Sequence, residues 1–162
     1  MKQYNRVCAR INLDAIAYNM EQMKNRIGQE GRLIAVIKTD AYGHGAVPLA
    51  EMFEETPYIW GYAVACMGEA RTLRAHGIKK PILILGCVFP DEYEEMVEKE
   101  IRAAVYTEEM AKGMADAAAR SGKTAFLHIK IDTGMGRIGF KVAKIGRAHV
   151  ELQSRRHLVC RL

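Results

Sequence analysis

Lys38 closes a short apolar run, LIAVI, and is followed by Tyr42, Gly43, His44 and Gly45 in the segment AVIKTDAYGHG. A lysine in such a place can snorkel its ammonium out to water. Alternatively its amine stays partly desolvated, and is then nucleophilic enough to condense with a carbonyl and form a Schiff base. The neighbouring residues suit the second use. Gly43 and Gly45 let backbone approach a ligand closely, Tyr42 brings a hydroxyl and His44 an imidazole. The same run is compatible with an ordinary tight turn, so the residues by themselves leave both readings open.

A second loop, IDTGMGRIGF at 131–140, surrounds Arg137 with Gly134, Gly136 and Gly139. A guanidinium cleared of neighbouring side chains can grip a carboxylate or phosphate through two parallel hydrogen bonds. Left in water, it would do nothing of the kind. The Gly-x-Gly spacing is not a dinucleotide fingerprint, because it does not occupy the first strand-to-helix turn.

The elements that must position these loops are legible from periodicity. Apolar spacings of three and four predict helices over 14–27, 46–55 and 68–76, the last closed by Gly77. Pro90-Asp91 opens a helix over DEYEEMVEK, and Thr107-Glu108-Glu109 caps one that reaches Arg120, with Gly122 past its end. Between them lie strands at 33–37, 60–64, 82–85, 102–105 and 125–131. The runs LIAVI and ILIL have the continuous apolar character of strands buried on both faces. Strands alternating with amphipathic helices mean βαβ units and a parallel sheet. Five such strands suit a flavodoxin-like sheet or about five-eighths of a (β/α)8 barrel, and the pattern does not choose. In either architecture ligands bind at the C-terminal ends of strands, where both loops fall.

Composition excludes other classes. With 162 residues, 49% of them hydrophobic and 27% charged, the chain is ordinary globular material for about one domain. No apolar run reaches the length of a membrane span, and the N-terminus lacks the apolar segment of a secretory signal. The four cysteines form no CxxC pair, so the expectation is no metal site and a reducing cytoplasm. Cys66 and Cys87 read as buried thiols, His128 as a histidine of the core or barrel interior, and His44 as a residue shaping its loop. Of the net charge of +5, residues 145–162 hold +3, four arginines against Glu151. The remainder, at +2, has no basic stripe interleaved with aromatics, which disfavours nucleic acid as a partner.

That tail, IGRAHVELQSRRHLVCRL, has no apolar period or turn chemistry continuous with what precedes it. Read back into codons, it resembles a common sequencing-adapter oligonucleotide with one base lost before Glu151. Arg155 and Arg156 fall where such adapters carry a variable index. The expectation is that 1–144 is native sequence and 145–162 a non-native tail of translated adapter.

On its motifs the chain resembles the bacterial alanine racemases, pyridoxal 5′-phosphate (PLP) enzymes of the fold-type III barrel class. AVIKTDAYGHG resembles their cofactor-lysine motif, RINLDAIAYNM their N-terminal segment and IDTGMGRIGF their arginine loop. The likeness runs collinearly from about Arg6 to Val142, with small departures such as Thr39 where alanine is common. It implies a truncated (β/α)8 barrel in which 1–144 is the N-terminal part. It further implies that Lys38 holds PLP as a Schiff base and then serves as one acid/base, that Tyr42 lies near the cofactor phosphate, and that Arg137 binds near the substrate carboxylate. Leu85 would pack near the cofactor ring. The implied activity is interconversion of L- and D-alanine, supplying D-alanine for peptidoglycan, in a cytoplasmic homodimer. The family's second catalytic tyrosine, its phosphate-binding loops and its C-terminal β-domain correspond to nothing in this chain, so this length alone is expected to be unfolded and inactive. Two other readings stand beside this one. A PLP racemase of another amino acid, such as serine, would share these loops. A non-catalytic PLP-binding barrel would share a strand-end lysine, but fits the Tyr42–Gly45 run and the Arg137 loop poorly.

Overall fold

Two long helices start where the sequence supplies an acceptor for their free N–H groups. In the computed structural model, which describes residues 7–141 and the strand backbone at 158–161, the Asn12 side chain accepts from the Ala15 N–H and opens α1 (Leu13–Ile27). The Thr107 hydroxyl accepts from Met110 at the head of α6 (Glu108–Ser121), and Gly122, left-handed at φ 64°, closes it. Between these helices the chain runs through β1 (Leu33–Val36), α2 (Lys38–Gly43), α3 (Ala46–Phe53), β2 (Ile59–Val64), α4 (Met67–Ala75) and β3 (Ile82–Ile84). A 3-10 turn (Pro90–Glu92) then leads into α5 (Tyr93–Glu98) and β4 (Ile101–Val105). After α6 come β5 (Ala125–Ile129), β6 (Ile131–Asp132), β7 (Phe140–Lys141) and β8 (Leu158–Arg161).

The main sheet is parallel throughout, in the order β1-β2-β3-β4-β5-β8, and β6 and β7 form a separate parallel pair. Each strand lies beside the next, with no reversal of direction across the sheet. A flavodoxin-like sheet must reverse at its switch point, whereas sequential order is that of a (β/α)8 barrel. The sheet order therefore separates two architectures that periodicity leaves equal.

The pleat sorts the side chains. Tyr62, Val64, Ile82, Ile84, Ile101, Ala103, Val105 and Leu127 pack outward with Leu49, Phe53, Met67, Leu73, Met96 and Met114 of the helices in one core. The alternate positions form the inner face, which Trp60 joins because the β1–β2 register shifts between Ile59 and Gly61. There the Arg102 guanidinium is stacked 4.9 Å from the Trp60 ring centre and 4.5 Å from that of Phe126. His128 meets Trp60 edge-on at 6.0 Å, an inner-face histidine as its strand position implies.

Three expectations need correction or limits. β1 is not buried on both faces: its burial alternates, with Ile34 38% and Val36 44% exposed. It is an edge strand, paired only with β2 among the described residues. Cys66 and Cys87 are exposed rather than buried, because both lie in loops beyond the strand ends rather than in the pleat. The tail expected to be non-native lies outside the described residues, apart from the backbone of β8, which pairs with β5.

Candidate active site

The segment after β1 departs from every ordinary turn. From Thr39 to Tyr42 the backbone is left-handed, with φ between 52° and 55° and ψ between 35° and 48°. None of these four residues is glycine, and each costs about 1–2 kcal/mol in this region. Surrounding hydrogen bonds hold the turn. Ala41 N–H donates to Ile37 O at 2.9 Å, Gly45 N–H to Asp40 O at 2.9 Å and His44 N–H to Ala41 O at 3.1 Å. The Asp40 carboxylate accepts from the Ala46 N–H at 2.7 Å, tying the turn to the start of α3. The His44 ring lies 3.0 Å from Ala41 O through Nδ1, the loop-shaping role its position implies. Backbone outliers of this kind cluster at active sites and ligand clamps.

Lys38 begins this turn, half-buried at the C-terminal end of β1. A residue four positions on returns to the same side of a helical turn, so Tyr42 stands beside it. The Lys38 Nζ lies 5.7 Å from the centre of the Tyr42 ring, which is 62% exposed. One amine and one phenol thus face the same space above the strand ends.

The Arg137 loop is built on Asp132. Its carboxylate accepts from Gly134 N–H at 3.0 Å and Gly136 N–H at 2.9 Å. These bonds, Gly136 first and Gly134 next, hold the Asp132 carboxyl below the usual aspartate range. Gly139 closes the loop at φ 142°, and a Cβ there would lie 2.4 Å from the Asp132 nitrogen. Only glycine fits both the angle and the approach. The Arg137 side chain is exposed, and among the described residues no hydrogen bond or ion pair joins it to Lys38 or Tyr42. The fold puts Arg137 beyond the end of β5 and Lys38 at the end of β1, on the same rim of one parallel sheet. Sequence reasoning passed over Asp40 and Asp132. For Asp132 the signal was available, since an aspartate two residues before a glycine marks a side chain accepting backbone N–H groups, whereas the Asp40 contact six residues on has no such local signature.

Comparison with known proteins decides the family. Residues 11–162 match the model of the alanine racemase N-terminal domain. The chain belongs to this family. It is 41% identical over 150 residues to an alanine racemase of Symbiobacterium thermophilum, covering 93% of this chain and 39% of that one. The solved alanine racemase of Clostridium difficile superposes with a TM-score of 0.88 at 36% identity, over 93% of this chain and 40% of that one. A histidine racemase of Leuconostoc mesenteroides also superposes, with a TM-score of 0.79 at 30% identity over 90% of this chain and 39% of that one. This segment of an alanine racemase barrel therefore spans about two-fifths of the relatives it matches. Among the described residues no helix is long and apolar enough to cross a membrane.

Proposed function

We propose that this chain is the N-terminal barrel portion of a PLP-dependent alanine racemase, in which Lys38 holds the cofactor. The observation that carries the reading is the pairing of a half-buried amine and a phenol on one strained turn, in a chain of this family. The donor set fits the group: a primary amine suits its aldehyde, and the Tyr42 hydroxyl can donate to a phosphate oxygen. When bound, PLP supplies an electron sink for charge developing at the substrate α-carbon.

The chain's own residues supply the rest. Lys38 would hold the cofactor through Nζ and, once released by substrate, take or return a proton on one face of the α-carbon. Tyr42 would orient the phosphate end. Arg137, on a loop cleared by Gly134 and Gly136, would offer its planar fork near the substrate carboxylate. The complete enzyme acts on free alanine as a cytoplasmic homodimer, with neither nucleic acid nor membrane as partner. On this reading Lys38 serves one face of the α-carbon, and the 162-residue chain by itself should form no D-alanine from L-alanine.

A second reading, racemisation of another amino acid, draws on the histidine racemase whose fold is also matched here. Assaying a full-length racemase carrying this segment against L-alanine, L-serine and L-histidine decides between them. Borohydride reduction of the same enzyme with PLP, followed by peptide mapping, should place the label on Lys38, and Lys38→Ala should abolish both label and turnover. A label found on Lys130 or Lys141 instead would overturn the assignment.

A further inference from the structure

Glu69 is the third residue of α4, half-buried, and its two carboxylate oxygens reach different strand ends. Oε1 accepts from the Thr39 N–H at 2.7 Å, and Oε2 accepts from the Ala65 N–H at 2.7 Å. Thr39 directly follows Lys38 and is the first left-handed residue of its turn. Ala65 directly follows β2, the strand paired with β1. One side chain thus spans the exits of two adjacent strands. We propose that Glu69 is a positioning residue for Lys38, a carboxylate clamp that fixes where the left-handed turn begins and so where the amine points. This rests on Lys38 being the cofactor-holding residue.

An acidic residue in the first turn of a helix could serve only that helix, by answering its N-terminal dipole. That role needs no contact outside α4 and its entry. The bond to Thr39, thirty residues away in sequence, serves no local capping of α4, and it is made to a backbone group adjacent to the candidate nucleophile. Both bonds are charge-assisted, the stronger kind of side-chain bond to a peptide N–H. A glutamine can accept only one of the two N–H groups, because its NH2 would face the other as donor against donor.

The test uses a full-length racemase carrying this segment, as wild type, Glu69→Gln and Glu69→Ala. Hydrogen exchange at the Thr39 amide, measured without cofactor, should accelerate roughly tenfold in Glu69→Gln and up to a hundredfold in Glu69→Ala, as loss of a charge-assisted bond implies. Amides of α6 should be unchanged. The rate of borohydride-trapped PLP labelling at Lys38 should fall by about the same factors, while labelling of the exposed Lys112 stays constant. With L-alanine, kcat should fall while KM stays within about twofold, the mark of a displaced acid/base rather than lost ground-state binding. Wild-type exchange at Thr39 together with wild-type Lys38 labelling in Glu69→Ala overturns the proposal. So does a loss that extends equally to α6 and Lys112, which would make Glu69 a general stabiliser. A wild-type enzyme unlabelled at Lys38 instead refutes the cofactor assignment, and the Thr39 exchange then still decides whether the clamp exists.

Discussion

Arg74 offers a sharp test of how the strand ends opposite the site are held. It sits in the last turn of α4, half-buried, and its guanidinium donates to four backbone carbonyls. Nη1 reaches Ile78 O at 2.6 Å and Lys80 O at 2.9 Å, Nε reaches Lys99 O at 3.0 Å, and Nη2 reaches Glu100 O at 3.3 Å. These carbonyls belong to the entries of β3 and β4, so one planar group ties two βα units together at the face remote from Lys38. In Arg74→Ala the two exposed acceptors, Lys99 O and Glu100 O, can turn to water. The two part-buried ones, Ile78 O and Lys80 O, lose a charged donor with less access to replacement. At ~1.5–3 kcal/mol for each such bond, discounted for partial hydration, the loss is about 2–4 kcal/mol. Arg74→Lys should recover less than half of it, because an ammonium lacks the fork that reaches both loops. With a urea m-value of about 3 kcal/mol/M, the unfolding midpoint of a full-length racemase carrying Arg74→Ala should fall by roughly 1 M. The kcat at a permissive temperature should be unchanged, since stability resides at this face of a barrel and chemistry at the other. A midpoint within about 0.2 M of wild type would refute the reasoning.

Arg137→Lys should lower kcat/KM by roughly ten- to a hundredfold, although charge is kept, and a wild-type value would mean that the guanidinium is merely solvated. The Asp132 carboxyl is held below its ordinary value by the Gly136 and Gly134 N–H groups. Its ordering of the Arg137 loop is therefore complete above the unfolded pKa, about 4, and is lost as pH falls through the lower folded value. Exchange protection at Gly134 and Gly136 should follow that acid limb, and Asp132→Asn should abolish the pH dependence. The isolated 162-residue chain, supplied with PLP, should form no D-alanine from L-alanine; chiral analysis of the product checks this. Finally, we propose that native sequence ends near Lys144. Resequencing the source DNA by a different library chemistry should give another continuation, and recovery of the same codons would sink the idea.

Much of this molecule was legible in its residues because the determinants are local. Thr107 and Gly122 announce helix ends through groups within three or four residues, and the structure uses each of them so. The strand at 82–84 announces itself by a continuous apolar run, since a parallel strand covered on both faces has no polar side to show. The two candidate loops were visible because glycines mark places where side chains must stay away. What residues could not settle depends on partners distant in sequence. Strand order decided between a reversing sheet and a barrel, and order is set by which strands pair, not by what each contains. The exposure of Ile34 and Val36 follows from β1 being an edge, a property of its neighbours rather than of LIAV. The left-handed path from Thr39 to Tyr42 runs against the intrinsic preference of all four residues. It persists through bonds to Asp40, Ile37 and Glu69, and of these only the fold could bring Glu69, thirty residues on, to the end of β1.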